Sequence, residues 1–332
     1  MDTKTVSLII PVYNVRDYLR KCLDSVAAQT YQALEVIIVN DGSTDDSLEI
    51  ALEYTAKYSN FKCYTIENRG QGGARNYGLK QATGEYVMFL DSDDYLSKNC
   101  VETLIAAAQE TEADIVCANC YDVQENGAVL AVSKNEYQNA VTSLQEEPAL
   151  LFNRVAPWGK LYKRQLWNEM EFACRVWYED MRLIPKLYLR AEKICYIEDA
   201  VVYYVQRSGS TMNNRDYRRN LEIIEAFNDL LGYYQEQGVY DRYREELEFL
   251  VIEHIAVSAI GRVALGKRSE NREVISRLQA YLATFEGLYD NPYLKTQTRN
   301  RKIILWCNRH GWYWATKLLL KAKQARKKEK KR

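Results

Sequence analysis

This 332-residue sequence predicts an α/β protein with a mostly parallel central sheet flanked by helices. Three features point to that class. Short apolar runs alternate with segments of helical periodicity, each run gives way to a polar cluster, and the fourth run stops abruptly at Asp91-Ser92-Asp93-Asp94. Apolar runs without alternation are strands buried on both faces, the signature of a parallel sheet whose crossover helices cover it.

Val6–Val12 reads as the first buried strand, brought to an end by Pro11, and Asp17–Gln29 as an amphipathic helix with Tyr18, Leu19, Cys22, Leu23 and Val26 on its apolar side. Leu34–Val39 is the second strand. The helix Asp46–Tyr58 follows, with Asp45 as a better cap than ligand. Next come the strand Phe61–Ile66, a glycine-rich turn at Asn68–Gly73, the helix Ala74–Gln81, the strand Glu85–Leu90, a helix near Lys98–Thr111 and a strand at Ala113–Ala118. Residues from about 120 to 210 are less regular and rich in Trp and Tyr, and are expected to extend the sheet and wall a cleft. Residues 216–290 read as helical, from the spacing of Leu221, Ile224, Phe227, Leu230 and Leu231 and again of Leu247, Leu250, Val251, His254 and Ile255.

In an open parallel sheet, ligands sit at the carboxyl ends of the strands, and all the polar clusters fall there: Pro11–Asn14, Asn40–Asp45, Asn68–Arg75 and Asp91–Asp94. Carboxylates at such an edge are hard oxygen ligands suited to Mg²⁺ or Mn²⁺ against a diphosphate. Gly70-Gln71-Gly72-Gly73-Ala74-Arg75 lacks the third glycine of a dinucleotide fingerprint and does not follow the first strand, so NAD binding is disfavoured. Its glycines would let backbone N–H groups approach an anion, with Arg75 reaching a nucleotide; taken alone, a tight turn with a surface arginine explains it as well.

Ser7–Asn14, Val39–Asp45, Asn68-Arg69-Gly70 with Gly73–Gly78, and Phe89–Asp94 follow in the order and spacing of the family 2 glycosyltransferases, which the chain resembles over roughly residues 5–210. Later matches are Trp158–Lys163, Tyr178-Glu179-Asp180 and Tyr203–Thr211, similar to those of bacterial capsular, exopolysaccharide and cell-wall glycan members. The resemblance implies the Rossmann-like GT-A fold with a mainly helical C-terminal extension, and an inverting transfer of a hexose or N-acetylhexosamine from a UDP-sugar. It implies a saccharide or glycolipid acceptor, such as a lipid-linked intermediate of a surface polysaccharide.

Carried over residue by residue, the resemblance puts Pro11, Val12 and Tyr13 around the base and ribose, and gives Asp41 the uracil N–H. A carboxylate there distinguishes uracil, which presents a donor, from cytosine, which presents an acceptor. Arg75 would lie near base and phosphates, Asp91 near the ribose or metal-bound water, Ser92 among the residues that bind the donor nucleotide, and Asp93 on the metal, with Asp94 as scaffold capping the following turn. Asp180 matches the base that takes the acceptor proton; Glu179 is the fallback, and both acids could instead cap a helix near Met181. Trp158 and Lys160 resemble positions on the acceptor and donor-sugar side. Arg207, before Ser208-Gly209-Ser210, resembles a loop that closes over the diphosphate. Some relatives add a histidine ligand near this loop; here only His254, on an apolar helical face, and His310 exist, so the metal should rest on Asp93, phosphates and water. A nucleotidyltransferase lacks support because no glycine-rich activation loop follows the first strand. A nucleotide-sugar-binding module without catalysis is opposed by Asp93 and Asp180.

Three regions are expected: a catalytic domain over 1–212, with a nucleotide-sugar half to about 118 and an acceptor half from about 119; a helical region over 213–292; and a basic, aromatic tail over 293–332. The net charge of zero hides an asymmetry: residues 294–332 hold fourteen Lys/Arg against Glu329 alone. Interleaved with Trp306, Trp312 and Trp314, that charge suits an interfacial helix on an anionic cytoplasmic leaflet. Packing on the body, assembly and nucleic-acid binding compete, the last disfavoured because no recognition fold accompanies the charge. The eight cysteines, of which only Cys117 and Cys120 are close, read as buried thiols of a reducing compartment. Asp2 and Lys4 run straight into strand-like sequence, and no apolar run is long enough for a span, so a cytoplasmic or peripheral protein is expected.

Overall fold

β1 (Val6–Val12) and β2 (Leu34–Asn40) are buried at every position, and they pair in parallel with each other, β1 with β4 (Tyr86–Phe89) and β2 with β3 (Phe61–Thr65). The computed structural model describes residues 4–207, 216–266 and 268–329. The crossover helices are α1 (Arg16–Ala27), α2 (Ser47–Lys57) and α3 (Gly70–Gln81), followed by β5 (Tyr95–Leu96) and α4 (Cys100–Thr111). Leu19, Cys22, Leu23 and Val26 form the buried stripe of α1, at the spacing the sequence predicts.

The sheet continues through β6 (Ile115–Gln124), β7 (Val129–Ser133), β8 (Ala140–Thr142), β9 (Lys160–Lys163) and β10 (Ile194–Gln206) in the order β3-β2-β1-β4-β9-β6-β10-β5, with β7 on β6 and β8 on β10. The longest ladders are parallel. β9 lies antiparallel between β4 and β6 and joins the two parallel halves, while α5 (Glu179–Arg190) precedes β10. The described residues fall into two compact units, one ending at Arg207 and the other formed by the remainder. The second is helical: α6 (Glu222–Glu236), α7 (Arg244–Val251), α8 (Ile260–Leu265), α9 (Arg268–Leu282), α10 (Arg299–Arg309) and α11 (Tyr313–Glu329). His254 occupies a π-helical stretch, Ile252–Ala259, 6.2 Å from the Phe227 ring, and burial pushes its imidazole down to about 4, as a neutral core residue. Among the described residues, no helix is long and apolar enough to cross a membrane.

The glycine-rich segment departs from expectation. α3 starts at Gly70 rather than Ala74, and the glycines serve packing instead of an open loop. Gly70 takes φ +73° at the helix entry, and a Cβ on Gly72 would strike the Ala173 carbonyl oxygen. The facing segment is also held by Asn76, which donates to Phe172 O at 2.8 Å and accepts from Phe172 N at 2.8 Å. Gly72→Ala would gain up to about 1 kcal/mol of helix propensity, but overpacking against backbone costs about 1–3 kcal/mol. A lowered melting temperature is therefore expected for that variant.

Candidate active site

The carboxyl ends of β1, β2 and β4 carry the predicted clusters. β1 hands its last carbonyl, Val12 O, to the Asp41 N–H at 2.8 Å, which ties the ends of β1 and β2 together. Pro11 and Val12 are buried in the strand, whereas the Tyr13 side chain is 52% exposed and free to lie against a planar ligand. Asn14 adopts a left-handed conformation, φ 47°, and its side chain accepts from Thr44 N at 2.8 Å. Asp45 accepts from Ser47 N at 3.1 Å and Arg16 N at 3.2 Å, a capping role like the one predicted.

Asp41 is buried, and its Oδ1 accepts from Arg69 N at 2.7 Å at the entry to α3. Burial pushes its carboxyl above the ordinary range, opposed by the Arg69 and Gly70 N–H groups. Sequence reasoning missed this second employment: an aspartate about thirty residues before a helix carries no local capping signal.

Arg75 is 2% exposed and binds two carboxylates at once, donating from Nη2 to Asp91 Oδ1 at 2.7 Å and from Nη1 to Glu179 Oε1 at 2.9 Å. Its guanidinium carbon lies 5.3 Å from the Phe172 ring centroid. The surface-arginine alternative is thereby excluded. Gln71 also donates to Glu179, so the fallback base already has two donors. The neighbouring Asp180 has a different environment. It is half-buried, accepts from Met181 N at 2.8 Å, and is pushed up to about 7 by burial and by the Glu179 charge. Tyr178, just before these acids, sits at φ 64°, a strained conformation for an aromatic residue that aims the first turn of α5.

Asp93 is raised by burial and by Asp91, and Arg207 Nε lies 2.5 Å from its Oδ2. The Arg207 guanidinium also lies 5.5 Å from the Tyr18 ring centroid. Ser208-Gly209-Ser210, the rest of the expected closing loop, lies outside the described residues. Ser92 is buried. Asp94 does not cap the following turn as expected: its Oδ1 accepts from Val205 N at 2.7 Å, pinning β10 to the acidic motif. It is fully buried and raised well above the ordinary range by burial and by Asp93 and Asp91.

Trp158 departs from the sequence reading, while Lys160 is buried within reach of the Asp180 charge. Trp158 is 7% exposed, stacks on Tyr204 at 5.2 Å and carries Arg154 at 4.8 Å, so it is a core residue without an open face for a sugar. Lys160 donates to Arg154 O at 2.8 Å and Ala156 O at 2.6 Å, and burial pushes its ammonium down to about 8. It braces the loop before β9.

The acidic edge fits a divalent cation in its donor chemistry: Asp91, Asp93 and Asp94 repel one another, and a cation would relieve that repulsion. Among the described residues no three His, Cys, Asp or Glu side chains converge on one point, so Asp93 would share a metal with ligand and water oxygens. All eight cysteines are free thiols; Cys117 and Cys120 are buried, and Arg154 donates to Cys120 Sγ at 2.7 Å.

An acidic sheet edge tied by a buried arginine to a second carboxylate suits the binding of a phosphate ester, and the comparisons name the family. The description "Glycosyl transferase family 2" matches residues 7–172. Glycosyltransferase GlyG of Streptococcus pneumoniae is 33% identical over 241 residues, 68% of this chain and 79% of GlyG. Glycosyltransferase GlyA of the same organism is 37% identical over 215 residues, 62% of this chain, and the aligned part spans only 31% of GlyA. The poly(ribitol-phosphate) beta-N-acetylglucosaminyltransferase TarS of Staphylococcus aureus is 33% identical over 216 residues, 63% of this chain and 37% of TarS. The fold of TarS 1–349 in complex with UDP-GlcNAc superposes with a TM-score of 0.70 at 24% identity, covering 96% of this chain and 92% of that one. The chain has the GT-A fold and is a glycosyltransferase: it belongs to glycosyl transferase family 2.

Proposed function

We propose that this glycosyltransferase transfers a hexose or N-acetylhexosamine, with inversion, from a UDP-sugar to a saccharide of a bacterial surface polymer. In this reading residues to about 118 hold the nucleotide-sugar and about 119–212 the acceptor, near an anionic membrane surface where a lipid-linked acceptor resides. One observation carries the proposal: Arg75 joins Asp91 of the acidic edge to Glu179, the residue before Asp180, and its charge is felt by the Asp180 carboxyl. The UDP-GlcNAc complex of TarS supports the donor class, and the polymer in that protein's name supports the acceptor class.

Tyr13 would lie against the base and Asp41 would accept the uracil N–H, while Asp91 and Ser92 would face the ribose. Asp180 takes the proton of the acceptor hydroxyl as that oxygen forms its bond to the anomeric carbon; the bond from that carbon to the diphosphate breaks, and UDP leaves. Arg207 would follow the charge from Asp93 to the diphosphate. Mg²⁺ or Mn²⁺, held in part by Asp93, would supply neutralisation of the leaving group, a use of divalent metal common among enzymes of this fold.

UDP release measured across UDP-Glc, UDP-Gal, UDP-GlcNAc and UDP-GalNAc, with Mn²⁺ or Mg²⁺ and a saccharide acceptor, tests the reading. Turnover of one donor, abolished by chelation, is expected. Binding of a UDP-sugar with no release under any condition would leave a binding module; no binding of any donor would overturn the donor class.

A further inference from the structure

Among the described side chains, α10 and the first part of α11, to residue 322, bury one face each. Asn308 locks the pair, accepting from Thr316 Oγ1 at 2.7 Å and donating to Ala256 O at 2.8 Å, while Ile304, Leu305 and Cys307 pack inward. On the outward side stand large apolar side chains that folding leaves in water: Ile303 (37% exposed), Trp306 (48%), Trp312 (47%), Trp314 (65%), Leu318 (60%) and Leu319 (37%). They form one strip, because Trp306 meets Trp312 at 5.0 Å and Trp312 meets Trp314 at 6.1 Å across the turn between the helices. A contiguous exposed strip of this kind marks an interaction surface rather than ordinary scatter.

Charge identifies the partner. Arg299 and Lys302, exposed, lie one turn from Ile303 and Trp306 on α10; Lys321 lies one turn beyond Leu318 on α11. The sequence from 294 onward contains a single acid. Indole rings with a polar edge beside cations match the headgroup layer of an anionic bilayer, where Trp sits at the interface and Lys and Arg meet lipid phosphate. Among the described residues neither helix is long and apolar enough to span, so the surface would lie on the bilayer. A protein partner would not call for so one-sided an excess of cations, and nucleic acid would not call for exposed Leu318 and Leu319.

We propose that the outward strip of α10, the turn after it and α11 docks this enzyme on an anionic lipid bilayer, through Trp306, Trp312, Trp314 and Leu318 inserted at headgroup depth. The inference deepens the membrane-surface part of the proposed function and does not depend on which sugar is transferred.

The full chain is tested by co-sedimentation with vesicles of phosphatidylcholine alone and of phosphatidylcholine with phosphatidylglycerol, at low and high salt. Binding to the anionic vesicles with a blue shift of Trp emission is expected, weakened by about tenfold or more in Trp314→Ser/Leu318→Ser. Those side chains are the most exposed of the strip, so unchanged melting verifies the fold, and UDP release is followed in parallel. Vesicle binding lost with turnover kept supports the surface; turnover absent with vesicle binding kept condemns the transferase reading alone. Equal binding by the double variant, no preference for anionic vesicles, or a dimer in solution that the same variant dissolves would overturn the proposal.

Discussion

Asp180→Asn is expected to lower transfer by about 10²–10⁴-fold, the usual worth of a positioned general base, while leaving donor affinity unchanged. The amide keeps the shape of the carboxyl but cannot take a proton. Calorimetric titration of UDP-sugar beside kcat on the same variant checks both halves, and substantial turnover would sink the assignment. The wild-type pH profile is a second test. The Asp180 carboxyl is pushed up to about 7, and in the proposed role only its ionised form would act, so the rate should fall about tenfold per pH unit below that value and level off above it. Stability moves the other way. With a folded value above the ordinary 3.8, the folded state holds the proton more tightly, so this contribution is present at low pH and is lost as pH rises through about 7. The asparagine variant lacks that loss, so its melting temperature should gain on the wild type between pH 4 and 7.

Arg75→Met is expected to cost about 3–5 kcal/mol of stability, because removing one member of a buried ionic cluster strands the others. Here two carboxylates, Asp91 and Glu179, lose their shared donor, and Glu179 is itself buried. A urea midpoint well below that of the wild type checks this. Arg75→Lys should restore little, since an ammonium lacks the planar fork that reaches two acids in two directions. Near wild-type stability in either variant would show that the bridge carries little of the fold.

Much of the first half of the fold was legible because its strands are continuous apolar runs and its helices show one-sided stripes. β9 was not. It has four residues with a lysine at each end, and only its neighbours β4 and β6 define it as a strand. The glycine-rich segment was misjudged for a related reason: nothing near Gly72 in sequence says that residues 172–175 press against it. In the site, Asp91–Asp94 could be read as an acidic sheet edge because strand and motif are contiguous. Trp158 could not be told from a sugar platform, since its burial depends on Tyr204, which is forty-six residues away. The bonds of Gln71 and Arg75 to Glu179 likewise cross more than a hundred residues, beyond any local periodicity.

The Arg75 bridge also bears on how this enzyme can be re-engineered. Asp91 belongs to the acidic edge and Glu179 to the turn that carries Asp180, yet one guanidinium sets the position of both. Substitutions on the two sides will therefore be non-additive, and a double-mutant cycle between Asp91 and Glu179 should show coupling that vanishes once Arg75 is gone. With Asp91 facing the donor and Glu179 the acceptor, as proposed, a library that varies residues around Asp91 would move the other side with it, and the two specificities would have to be selected together.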